Sequence, residues 1–145
     1  MGKFIAAADP VLGSFCLLLH RGMDVYNRHF CKDHKKDSDI FHDDFYTKGD
    51  IVNAYSRYVA TIVKRYANEP SVLGTPLNHF VVAVILTSPQ GWELANDPRC
   101  SSGLPASGSC TPQTITQWTA TIAAVVKEND PNHLVSVGQH FRDLV

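Results

Sequence analysis

Asn96 and Asp97 close a short apolar stretch, Gly91-Trp92-Glu93-Leu94-Ala95, and are followed by Pro98, Arg99 and Cys100. An amide beside a carboxyl at the end of a strand can act together on a polar substrate. An amide can both donate and accept hydrogen bonds, and a carboxyl can carry a proton or give it up. For acid duty that carboxyl must keep its proton near working pH, through burial or a neighbouring negative charge. Glu93 alternates with Asn96 along the stretch and reads as an inward, hydrogen-bonding position.

Other residue types that carry chemistry point nowhere as clearly. Of the 7 histidines, His29 and His34 flank Cys31 and His42 follows, but no pair has the helical or knuckle spacing of a metal site. A polar loop is expected there, with no metal and no cofactor. The 4 cysteines, Cys16, Cys31, Cys100 and Cys110, allow three pairings if all are oxidised. Cys100 and Cys110 bracket a Ser/Gly/Pro loop that favours joining them, whereas the connectivity of Cys16 and Cys31 stays open. A formal charge of −1, with both signs scattered, leaves no footprint for nucleic acid or an anionic membrane surface. The basic cluster at 32–36 is diluted by Asp33 and Asp37.

The elements that must position Asn96 and Asp97 follow from periodicity. Residues 3–8 form an apolar run ended by Asp9-Pro10, which suits a strand covered on both faces. The same segment imitates a secretory signal only weakly, because its apolar part is short. The stretch 11–19 has no clear period. Over 50–67, Ile51, Ala54, Tyr55, Tyr58, Val59, Ile62, Val63 and Tyr66 recur at three- and four-residue steps and predict an amphipathic helix that Asn68-Glu69-Pro70 ends. Ser71-Val72-Leu73 begins another strand. Thr111 and Pro112 suit the cap and first position of a second helix, with Ile115, Trp118, Ile122, Val125 and Val126 as its apolar stripe. Asp130-Pro131 stops it, and 134–137 makes a further strand. Strand, helix, strand, helix, strand implies an α/β fold with parallel pairing and right-handed crossovers.

With residues 74–90 set aside, Ser71-Val72-Leu73 joins Gly91-Trp92-Glu93-Leu94-Ala95-Asn96-Asp97-Pro98-Arg99-Cys100 in one strand with a polar end. This resembles glycoside hydrolase family 5, and within it the fungal endo-β-1,4-mannanases, whose fourth barrel strand ends in Trp-Glu-Leu-(Gly/Ala)-Asn-Glu-Pro-Arg-Cys. The likeness runs back through Gly22-Met23-Asp24-Val25-Tyr26 and His42-Asp43-Asp44-Phe45-Tyr46-Thr47 and forward to Asp130-Pro131-Asn132-His133-Leu134-Val135. It implies a partial (β/α)8 barrel, roughly strands 3 to 5 with their helices, whose complete form needs roughly 250 residues. On this resemblance Asn96 contacts a sugar hydroxyl and Asp97 stands where the family has its acid/base Glu. Trp92 either stacks on a sugar ring or packs in the core.

The resemblance implies retaining hydrolysis of internal β-1,4 links of mannan, with a polysaccharide as partner and an extracellular location for the complete parent. Asp97 is one methylene shorter than the family's Glu. The family's nucleophilic Glu lies on the seventh strand, and nothing in these 145 residues matches it. The chain is therefore expected to be an incomplete catalytic domain over 1–145, inactive and poorly stable alone. The alternative is a vestigial carbohydrate-binding protein. Residues 74–90 interrupt the motif in mid-strand. A translated intron accounts for them, since the segment's start is compatible with a GT donor, Leu86-Thr87 with a branch sequence and Gln90 with a terminal CAG. The competing reading is a genuine extra hairpin or strand.

Overall fold

The computed structural model describes residues 7–8, 15–16, 22–31, 36–68 and 91–138. Predicted strand 71–73, the interruption at 74–90 and His34 lie outside them. Strands β1 (Ala7–Ala8), β2 (Phe15–Cys16), β3 (Gly91–Glu93) and β4 (Leu134–Ser136) form one sheet in that order. Helices α1 (Gly22–Phe30), α2 (Asp44–Thr47), α3 (Gly49–Tyr66) and α4 (Pro112–Asn129) accompany it.

β2, β3 and β4 pair in parallel, as alternating strands and helices require, but β1 runs antiparallel to β2. This corrects the expectation of parallel pairing throughout. Only residues 9–14 separate β1 from β2, and a parallel crossover needs about a dozen or more. β2 itself falls in the stretch that showed no period.

α3 buries Ile51, Ala54, Tyr55, Val59 and Val63, the stripe expected of it. α4 buries Trp118, Ile122 and Val126, while Ile115 and Val125 are partly covered against the same core. Its start is fixed as its composition foretold: the Thr111 hydroxyl accepts the Thr114 amide, and the Thr114 hydroxyl accepts the Thr111 amide. The core gathers where α3, α4 and α2 meet. Trp118 stacks on Tyr55 at 5.9 Å and meets Phe45 and Tyr46 at 5.5 and 5.3 Å between ring centres. α1 was not expected. Met23 and Tyr26 at a three-residue step, with Phe30 beyond them, face this core, and Asp24 and Asn27 are buried beside them.

Candidate active site at the end of the third strand

Trp92 and Val135 are aligned across the parallel strands, as are Glu93 and Ser136. Alternation sends the two rows to opposite faces. Trp92 faces the helices, is 0% exposed, and donates its indole N–H to Asp130 at 2.9 Å. Its ring is thus part of the core, which corrects the reading of Trp92 as a sugar platform: no face of it is open to a ligand. β3 and β4 approach so closely that a Cβ on Gly91 would lie 2.2 Å from the Leu134 carbonyl oxygen.

Beyond β3 the chain stays attached to its neighbours. The Leu94 amide donates to Ser136 O at 2.9 Å, and the Tyr55 hydroxyl donates to Leu94 O at 2.6 Å. Leu94 and Ala95 are fully buried, whereas Asn96 and Asp97 emerge into partial exposure. Asp97 adopts φ +53°, a left-handed conformation that aspartate accepts more readily than most residues. Its amide donates to Gly138 O at 2.9 Å. Gly138 has φ +77°, and a Cβ there would meet Ala95 O at 2.2 Å and Glu93 Oε1 at 2.6 Å. Only glycine fits. Asp97 Oδ2 lies 2.5 Å from Arg99 Nη2, with the arginine half exposed.

The segment after Arg99 is held down by acidic side chains. Cys100 and Cys110 form a disulfide with their Cα atoms 5.6 Å apart. Within that loop the Gly103 amide donates to Asp24 Oδ2 at 3.0 Å, and Ser107 gives its amide and hydroxyl to the two Asp43 oxygens at 2.7 and 2.5 Å. The His42 amide donates to Pro105 O, while its ring Nδ1 lies 2.5 Å from Asp24 Oδ1 with both side chains buried. His42 therefore serves this loop. Cys31 lies elsewhere, a free, buried thiol 3.5 Å from Lys48 Nζ and 3.8 Å from Asp44 Oδ2, and burial pushes its pKa up. Among the described residues no three His, Cys, Asp or Glu side chains gather as a metal group would require. Cys16 has only its backbone described.

Sequence reasoning singled out Asn96 and Asp97 as candidates but did not single out Asp24, Asp43 and Tyr46, whose side chains anchor the segment after them. Their signal lay in the two motifs Gly22-Met23-Asp24-Val25-Tyr26 and His42-Asp43-Asp44-Phe45-Tyr46-Thr47, which carry buried carboxylates without obvious partners nearby in sequence.

No family model matches the chain. A probable mannan endo-1,4-beta-mannosidase C of Aspergillus terreus is 34% identical over 81% of this chain and 24% of its own length. Mannan endo-1,4-beta-mannosidase A of Hypocrea jecorina is 31% identical over 65% of the chain and 16% of its own. The crystal structure of an endo-1,4-beta-mannanase from Rhizomucor miehei superposes with a TM-score of 0.56 and 34% identity, covering 81% of this chain and 29% of that one. The chain belongs to the endo-β-1,4-mannanase family. A mannanase of Thermotoga petrophila gives the same TM-score of 0.56 at 28% identity. The α/β character of the fold is shared with these enzymes, and the chain spans about a quarter of the length of the first of its curated relatives.

Proposed function

We propose that residues 22–138 build the acid/base side of a retaining mannanase site, in which Asn96 holds a sugar hydroxyl and Asp97 stands at the proton-transfer position. The observation that carries this reading is the emergence of these two side chains just beyond the C-terminal end of β3, a parallel strand buried throughout and followed by the buried Leu94 and Ala95. That end is where barrel enzymes place their chemistry. The same reading takes β2, β3 and β4 as strands 3 to 5 of a (β/α)8 barrel, 1–145 as part of a catalytic domain, and 74–90 as intron-derived.

Double displacement needs a second carboxylate about 5 to 5.5 Å from the first. No residue of the chain lies in a motif like the family nucleophile's, so turnover belongs to a product that carries further strands. Mannan-type β-1,4-glycan is the substrate class. An oxidising, extracellular setting fits the Cys100–Cys110 bridge, and no described helix is long and apolar enough to cross a membrane.

The Asp97–Arg99 contact favours a second reading, a glycan-binding protein without turnover, since a carboxylate oxygen engaged by a guanidinium faces a group that only donates. Mannohexaose titration and a reducing-sugar assay on mannan, both with the full product of the gene, separate the two. Asn96→Ala is expected to weaken binding about tenfold, the worth of one hydrogen bond of roughly 1.4 kcal/mol. Asp97→Glu is expected to raise turnover by up to a hundredfold, on the order of what a 1 Å misplacement costs. Absence of glycan binding in the parent and in both variants sinks either reading. Binding without turnover, even in Asp97→Glu, leaves the second.

A further inference from the structure

The geometry points to Tyr46 as the positioning residue of the turn at 96–99: its hydroxyl grips the Arg99 backbone through both amide and carbonyl, and Arg99 in turn engages the Asp97 carboxylate. The Tyr46 oxygen lies 3.1 Å from Arg99 N and 3.0 Å from Arg99 O, with Met23 Sδ at 3.2 Å. A phenol has one proton to give and lone pairs to receive one. It accepts the Arg99 N–H and donates to the Arg99 carbonyl, with the thioether as the competing acceptor. Residue 99 is thereby held at both of its backbone polar groups by a single atom that is distant in sequence.

That atom cannot drift. Tyr46 is 6% exposed, and its ring is wedged among Phe45, Trp118 and His42, with centres 5.6, 5.3 and 6.0 Å away. Burial drives its hydroxyl well above the ordinary phenol range, with Asp24 and Asp97 pushing the same way and the Arg99 backbone bond opposing. The O–H therefore persists as a donor at any working pH. By contrast, the Arg99 guanidinium is half exposed and contacts Asp97 Oδ2. The turn is thus pinned twice, by Gly138 O on the Asp97 amide and by Tyr46 on Arg99. Asp24 and Asp43 fasten the loop further on, at Gly103 and Ser107. Among these described anchors, Tyr46 is the one that acts on the residue touching the candidate acid/base. Its catalytic consequence rests on the mannanase reading; its hold on Arg99 does not.

The test compares the parent with Tyr46→Phe, which removes one oxygen and keeps the ring. In labelled protein, the Arg99 amide is expected to be protected from hydrogen exchange in the parent and to exchange at least tenfold faster in Tyr46→Phe, with the Arg99 Nε–H signal displaced. In the full gene product, kcat on mannan falls between about 10- and 100-fold while KM stays within about twofold. Val126→Ala is the control. It opens a core cavity beneath α4 and lowers Tm without moving either Arg99 signal. An unprotected Arg99 amide in the parent overturns the inference, even if Tyr46→Phe does not fold. So does a Tyr46→Phe protein with unmoved Arg99 signals, or a Val126→Ala protein that moves them equally. Release of Arg99 in a product that neither binds nor cleaves mannan would uphold the hold on the turn and overturn the mannanase reading instead.

Discussion

Asp130 shows how much one side chain can organise. Its 0% exposed carboxylate receives the Trp92 indole N–H at 2.9 Å, the Asn132 and His133 amides at 3.1 and 3.2 Å, and His133 Nδ1. Burial works to raise its pKa, but the bonds from Trp92, His133 and the two amides outweigh burial and leave it below the ordinary carboxyl value. The folded value being the lower one, the ionised form stabilises the fold above the unfolded value of about 3.9 and loses that effect as pH falls through the folded value. Asp130→Asn sets an amide N–H₂ among donors and is expected to cost on the order of 2 kcal/mol at pH 7. Urea titrations at pH 7 and below pH 4 check this: the midpoints of parent and variant should converge on acidification. Equal midpoints at pH 7 would contradict it. In sequence, Asp130 looked only like a helix stop before Pro131. Its partner Trp92 lies 38 positions away, and local pattern carries no trace of that bond.

Helices were the legible elements. α3 and α4 each present a stripe at helical spacing long enough to outweigh local noise, and the Thr111-Pro112 start carries its own chemistry. Thr111→Ala should lower stability by about 1 kcal/mol, measured as a shift of the thermal midpoint; no shift would mean the cap is idle. Of the strands, β1 and β4 fall inside the runs expected at 3–8 and 134–137, whereas the two residues of β2 lie in a stretch without a period and are too few to show alternation. α1 escaped because its inward face mixes Met23 and Tyr26 with the polar Asp24 and Asn27, whose burial depends on partners in other segments: Gly103 for Asp24, and the Phe41 and His42 carbonyls for Asn27. The loop over 100–110 shows the same split. Its bracketing cysteines were visible in sequence, but its docking on Asp24 and Asp43 was not. Cys110→Ser is expected to cost about 2 to 3 kcal/mol through the freed loop of the unfolded chain. Those anchors should nonetheless keep the Ser107 amide protected from exchange at neutral pH.

At the scale of the molecule, the segment at 74–90 falls within the stretch between α3 and β3. We expect transcript reads across the site to skip it, and a chain lacking it to be more soluble than the parent, since its apolar run at 80–86 has the composition of an aggregation-prone strand. Mature message that uniformly retains the segment would make it a genuine part of the protein. The bond from the Asp97 amide to Gly138 O bears on how such a protein can be built up or cut down. The candidate acid/base takes its left-handed backbone against a residue beyond the following strand, so one strand with one helix cannot form it. The smallest piece able to carry this geometry into another scaffold is β3, α4 and β4 together through Gly138. Recombination that divides this family between those two strands would separate the carboxylate from the carbonyl that aims it.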